Sequence, residues 1–426
     1  MKIEHTTLAN GLRIVTSRMP AARSVSVCMF AGVGSRYENF AINGGVSHFL
    51  EHLLFKGSES WPSTQVIGEA VDGVGGYHNA YTTKDLTNFY MKVPKRHAKL
   101  SLNILADMIQ NPLLDAEEID RERTVVLEEM NVWRDDPAGA IYDLLPEVLW
   151  PNDPLASEMI GSEEVIKTIS RQAIYDYQQL HYGPENIVVS VAGDIEHEAI
   201  VEHVTELMGK MKRRKPPRLK KVDASLSDKL VVEREQATSQ MHILIGCQAY
   251  PANHKRSAAL QVVSTILGGG MSSRLYLELR ERQGLAYSVF SDYNSFVDTG
   301  AFSVYAGVSP DNVGQAMQVI ISELARLKTE LVTDTELTKV KHKLAGGMQL
   351  ALESTSAIAD RVGTRMILLN EVKLPDETIA DIEAVTAEDV MFVAKDLFKA
   401  SSLRLATIAP DTKLAKQAFI NELEKI

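Results

Sequence analysis

Apolar and polar residues run along the chain in two rhythms, and their order recurs. From Asn186 to Met208 a continuous apolar stretch leads through a small turn ending in Asp into apolar residues at helical spacing. Leu403 to Glu424 repeats that order. Each predicts a buried strand followed by an amphipathic helix. Asp194 and Asp411 are the expected N-caps, because a carboxylate there can accept from the first free helix amides. A second echo pairs Asn88–Val93, a Pro-containing turn and the helical pattern Ala98–Ile109 with Ala301–Val308, a Pro-containing turn and Val313–Leu327. Both are followed by an acidic cap and another helix.

Two echoes in the same order indicate an internal repeat. Between the halves lies K-M-K-R-R-K-P-P-R-L-K-K, Lys210 to Lys221, whose prolines and like charges make a stiff, solvated connector. The division read from this is a first domain at 1–214, a linker at 215–221 and a second domain at 222–426. Each half mixes short strands and helices without strict alternation. The fold class expected is α+β: two homologous domains, each with helices packed on a largely antiparallel sheet.

Composition narrows the picture. The chain has 426 residues, 45% of them hydrophobic and 24% charged, the balance of a globular protein. A net charge of -11 argues against nucleic acid as the main partner. Two cysteines, Cys28 and Cys247, offer no disulfide framework. The first residues lack the apolar core of a signal peptide, and no segment has the ~18 uncharged apolar residues of a membrane span. The expectation is a cytoplasmic protein with no membrane contact.

The candidate chemistry sits in G-G-V-S-H-F-L-E-H-L-L-F-K-G, residues 44 to 57. Phe49, Leu50, Leu53 and Leu54 have the spacing of a buried helix. His48 and His52 then lie one turn apart on one face, where two imidazoles can chelate a tetrahedral zinc. Glu51 adjoins them and can reach a water at the metal without being a ligand. The plainer alternative is a polar helix face. A catalytic zinc needs a third protein ligand, and the best donor is the acidic segment 115–130. Asp115 and Glu118 start it like a capping box. On the helix that follows, Glu118, Glu122 and Glu129 fall near one face, and Glu128 points away. Glu122 and Glu129 are two turns apart, ~10.5 Å, so one of them should ligate and the other sit close by.

These residues resemble the pitrilysin/insulinase-type zinc metallopeptidases, and more closely the half-length branch that includes the mitochondrial processing peptidases. The resemblance implies His48, His52 and Glu129 as ligands of one zinc per chain, Glu51 as general base and Glu122 as an assisting carboxylate. It extends over the whole chain. The opening T-T-L-A-N-G-L-R-I-V is similar to the family's first hairpin. G-G-Y-H-N-A-Y-T-T-K-D-L-T, 75 to 87, is similar to its active-site edge strand, where Asn79 and the Ala80 backbone would hold an extended substrate. Read from its residues alone, that stretch is a Gly-Gly turn followed by a strand containing Tyr77, Tyr81 and Thr83.

The second half has no H-x-x-E-H. It carries L-G-G-G-M-S-S-R-L-Y-L-E-L-R-E-R-Q-G-L-A-Y-S-V, 267 to 289. No G-K-[ST] follows the glycines, so a flexible turn before a helix at Ser273–Arg282 is expected in place of a phosphate loop. Arg280 and Tyr287 resemble the family's arginine–tyrosine pair, donors suited to substrate carbonyls and an oxyanion. One chain holding both sets points to a homodimer, and the family arrangement favours the pair acting from the partner chain. The expected activity is a zinc endopeptidase acting on extended peptides. The alternatives are a non-catalytic assembly subunit on the same fold and a zinc hydrolase of small molecules.

Overall fold

The computed structural model describes residues 2–426. The chain forms two compact units, each built on one sheet. In the first unit the sheet order is β1 (Lys2–Thr7), β2 (Arg13–Arg18), β6 (Ile187–Gly193), β3 (Ser24–Ala31), β5 (Thr87–Pro94), β4 (Tyr77–Thr82). In the second it is β7 (Val231–Glu235), β11 (Arg404–Ala409), β8 (Met241–Ala249), β10 (Gly300–Val308), β9 (Ala286–Ser295). Omitting the extra edge strand β1, the two orders match strand for strand. Each sheet has one parallel pair, β2 with β6 and β7 with β11, and is otherwise antiparallel. The fold is α+β with a repeated unit.

The repeat segments lie at matching places. β6 and β11 occupy the same sheet position and lead into helices His197–Met208 and Lys413–Leu423. Their expected caps behave differently. Asp411 accepts from the Lys413 amide, whereas Asp194 pairs with Lys95 and the helix after it has Glu196 at an uncapped start. A lysine across the sheet outcompetes the local amides for Asp194.

The compact units do not follow the contiguous division at 1–214 and 222–426. Asn131–Ser157 belongs with the second unit, and Gln349–Leu374 with the first. The cause is a trade of helices. Each sheet is covered on two faces, which is why β3 and β6 are buried along almost their whole length. One face of the first sheet carries the main core, around Met29, Phe49, Phe89 and Val189. The other is covered by helix Thr355–Leu369, whose Ile358, Ala359, Val362 and Met366 pack on Val15, Cys28, Phe30 and Val188. A Cβ at Gly363 would sit 2.1 Å from the Phe30 ring, so that helix crosses the sheet where only glycine fits. In the second unit helix Pro137–Leu149 does the same work: Leu144, Leu145 and Leu149 meet Leu244, Tyr305 and Ile408. No helix among the described residues is long and apolar enough to cross a membrane. Cys28 and Cys247 are buried and unpaired, in β3 and β8.

Candidate metal centre

Helix Val46–Leu54 carries the H-F-L-E-H motif. Nine residues are too few for a helix to persist alone, so packing must hold it. Phe49, Leu50, Leu53 and Leu54 are buried in the first unit's core, each worth roughly 1.5–3 kcal/mol. Burying that face turns His48 and His52 to one side. Their Nε2 atoms are 3.3 Å apart.

The third element is helix Ala116–Asp135. Its start is only half a capping box: Asp115 accepts from the Glu117 and Glu118 amides, while Glu118 pairs with Arg121. Two turns in, its glutamates grip opposite edges of one imidazole. Glu122 Oε1 accepts from His52 Nδ1 at 2.8 Å, and Glu129 Oε2 lies 3.4 Å from His52 Nε2. The other Glu129 oxygen is 3.6 Å from His48 Nε2.

Donor atoms of His48, His52 and Glu129 thus lie within 4.8 Å of one another. Two nitrogens on a tetrahedral zinc, at about 2.0–2.1 Å each, sit about 3.3–3.4 Å apart, the spacing seen here. The donor set, two imidazoles and a carboxylate, also suits zinc, and three protein ligands are what a catalytic site uses. Since an ionised carboxylate only accepts, Glu122 fixes the hydrogen on His52 Nδ1 and leaves Nε2 to face the metal position. Lys56 completes this chain, its Nζ 2.5 Å from the second oxygen of Glu122. Burial alone would raise the Glu122 pKa, but the bonds from His52 and Lys56 hold it below the ordinary range. His48 has no such support: its Nδ1 is buried with no hydrogen-bond partner among the described residues. Burial and the neighbouring His52 push the His48 pKa down to about 4. His52 goes the other way against its own burial, up to about 9, because Glu122 and Glu129 flank it.

Glu51 lies beside this group. Burial raises its pKa, and Thr82 Oγ1 donates to its Oε2 at 2.5 Å. Thr82 closes β4, where alternate side chains face opposite ways. Thr82 and His78 turn toward the motif helix, the His78 ring tilted against that of Phe55. Tyr77 and Tyr81 turn toward helix Thr355–Leu369 and bond Ser356 and Asp360. Thr83 lies just beyond the strand. We expect Thr82→Val, which keeps the shape and removes the donor, to lower kcat about 10-fold with zinc content unchanged, and Thr82→Ser to restore it. Steady-state kinetics on a fluorogenic peptide with parallel metal analysis will decide, and equal kcat in all three proteins would remove Thr82 from the site.

Among the described residues β4 is also a sheet edge, paired with β5 on one side. Asn79 is exposed on it, and the Ala80 amide donates to Asn79 Oδ1. Arg280 and Tyr287 belong to the second unit and are brought together there. The Arg280 guanidinium donates to the Tyr287 carbonyl and lies 4.9 Å from its ring centroid and 5.2 Å from that of Tyr276. Tyr287 is 71% exposed at the start of β9. The helix expected at Ser273–Arg282 takes a wide π form over Tyr276–Arg282, with Gln283 N bonding Glu278 O. Such wide turns recur at functional sites.

Three residues of this centre escape the sequence reading. Lys56 left a signal, standing four residues after His52 on the same helical line. Thr82 and Glu38 left none, because only the tertiary fold brings them in. Glu38 is buried and accepts from the Gly45 and Ser47 amides at the start of the motif helix.

A repeated α+β unit in which one copy gathers two histidines and a glutamate defines a protein of metallopeptidase architecture. Residues 13–163 match the model of the insulinase family, peptidase family M16, and residues 168–344 match that of the peptidase M16 inactive domain. An uncharacterized zinc protease of Bacillus subtilis is 36% identical over 409 residues, covering 96% of this chain and 98% of that protein. One of Mycobacterium leprae is 37% identical over 396 residues, covering 92% and 88%. The crystal structure of a protease from Helicobacter pylori is similar with a TM-score of 0.90 at 25% identity, covering 96% of this chain and 99% of that one. The chain belongs to peptidase family M16, the pitrilysin/insulinase type, in its half-length form.

Proposed function

We propose that the protein is a zinc-dependent endopeptidase cleaving extended or unfolded peptides, with one zinc per chain held by His48, His52 and Glu129. The observation that carries this is the approach of those three donor groups to within 4.8 Å of one another, beside a partly buried Glu51. Bound zinc supplies Lewis-acid activation of a water and of the scissile carbonyl. Glu51 takes the proton of the attacking water and returns it to the leaving amine. Its raised pKa brings it closer to the operating pH, where a group that must both accept and donate works best. Thr82 aims it, and Glu122 with Lys56 holds the His52 ring.

An extended substrate fits the open edge of β4, where backbone pairing gives affinity without demanding sequence. Asn79 and Ala80 are the contacts assigned there. Arg280 and Tyr287 are assigned, by family resemblance, as donors to substrate carbonyls and to the oxyanion. The working form in this reading is a cytoplasmic homodimer.

The test is cleavage of a random peptide library, read by mass spectrometry with and without chelator. Internal cleavage that chelator abolishes and zinc restores is expected. Purified protein that neither contains nor takes up zinc, and cuts nothing, would favour the assembly-subunit alternative.

A further inference from the structure

His52 is oriented through its side chain, by Glu122 and Lys56. His48 has no hydrogen-bond partner on Nδ1 among the described residues, so apart from packing and its Nε2 neighbours its placement follows the backbone of its own helix. That helix begins one turn earlier with no side-chain cap. Gly45 is the N-cap at φ 94, and a Cβ there would lie 2.6 Å from the Ile160 carbonyl oxygen, so Ser, Thr or Asp cannot replace it. The Ser47 hydroxyl is engaged with the Tyr177 hydroxyl at 2.7 Å. The amides at the helix start find their acceptor seven and nine residues upstream: Gly45 N donates to Glu38 Oε2 at 2.6 Å and Ser47 N to Glu38 Oε1 at 2.7 Å.

We propose that Glu38 is the positioning residue of His48, a charged cap supplied from outside the helix that fixes its first turn for metal binding at a cost to the stability of the fold. Both carboxylate oxygens are used, so a neutral amide cannot substitute. Gln offers one acceptor, and its amino group would face the second N–H donor to donor. The helix start then shifts, and His48, the residue after Ser47, shifts with it. His52, tied by its own side-chain bonds, stays. The separation of the two nitrogens is what changes.

The cost follows from burial. Glu38 is 7% exposed, and desolvation raises its pKa to about 7, against the lowering by the Gly45 and Ser47 amides, the Ser47 side chain and Lys84. Tyr177 and Tyr182 are the tyrosines that face it, both pushed above the ordinary value chiefly by burial. A carboxyl whose folded pKa lies above its ordinary 4.5 stabilises the fold fully below that value. The contribution is lost as pH rises to about 7 and stays lost above it.

This inference rests on the zinc reading, and the test separates the two. Full-length wild type and Glu38→Gln are compared for zinc affinity, by competition with a chromophoric chelator, and for melting of the metal-free protein. We expect zinc affinity to fall about 10-fold in Glu38→Gln, in the range of other outer-shell changes. Its stability should lose the decline between about pH 5 and about pH 8 that metal-free wild type shows. Zinc affinity within about two-fold of wild type would overturn the proposal. So would metal-free wild type whose stability does not decline over that pH range. Wild type that binds no zinc would overturn the zinc reading and the proposal with it.

Discussion

Glu51→Gln is expected to leave bound zinc at the wild-type level and to slow peptide hydrolysis by about 10²–10⁴-fold, the range general acid–base catalysis supplies. The reason lies in the division of labour around the helix. His48, His52 and Glu129 supply the converging donor atoms, and Glu51 is not among them. Gln keeps the size of Glu51 and can still accept from Thr82, so the partly buried pocket stays filled. It cannot take up a proton. Metal content by emission spectrometry and single-turnover cleavage of an unstructured peptide are the paired measurements. Wild-type turnover in a variant that retains its zinc would remove Glu51 from the proton transfer.

The second large effect concerns Glu129. We expect Glu129→Gln to weaken zinc binding well beyond the about 10–100-fold typical of an outer-shell change, and its neighbour Glu128→Gln to leave it within about two-fold. The contrast is geometric. Glu129 places its oxygens 3.6 Å from His48 Nε2 and 3.4 Å from His52 Nε2, while Glu128 stands one residue along the helix, outside the donor group. Gln keeps one carbonyl oxygen but removes the charge and one of the two oxygens. Chelator competition on both variants reads the result, and equal losses would mean that the helix as a whole, not one carboxylate, holds the metal.

Much of this architecture is legible in the sequence because it depends on local periodicity. The strand-turn-helix echoes at 186–208 and 403–424 land on matching strands, and helical spacing puts His48 with His52 and sets Glu128 apart from Glu129. Residues that act over distance are not legible. Nothing near Glu38 says that its carboxylate meets amides seven and nine positions later, since an ordinary cap would occupy the Gly45 position. Thr82 reads as one more β-branched strand residue until Glu51 is seen beside it. The unit boundaries escape for the same reason: Pro137–Leu149 and Thr355–Leu369 are amphipathic helices, and amphipathicity does not name the sheet a helix will cover. Asp194 shows the converse, a residue with a good local role that a lysine from another element diverts.

The traded helices set an order of maturation. Residues 1–220 leave the ribosome with Val15, Cys28, Phe30 and Val188 facing water, because Ile358, Ala359, Val362 and Met366 are not yet made. Domains that are continuous in sequence finish folding as they emerge. Here the unit that bears His48 and His52 waits for residues 355–369. Tyr81, on the open edge strand, gains its Asp360 partner only then. A chain cut short before Thr355 therefore presents a sheet with one apolar face uncovered.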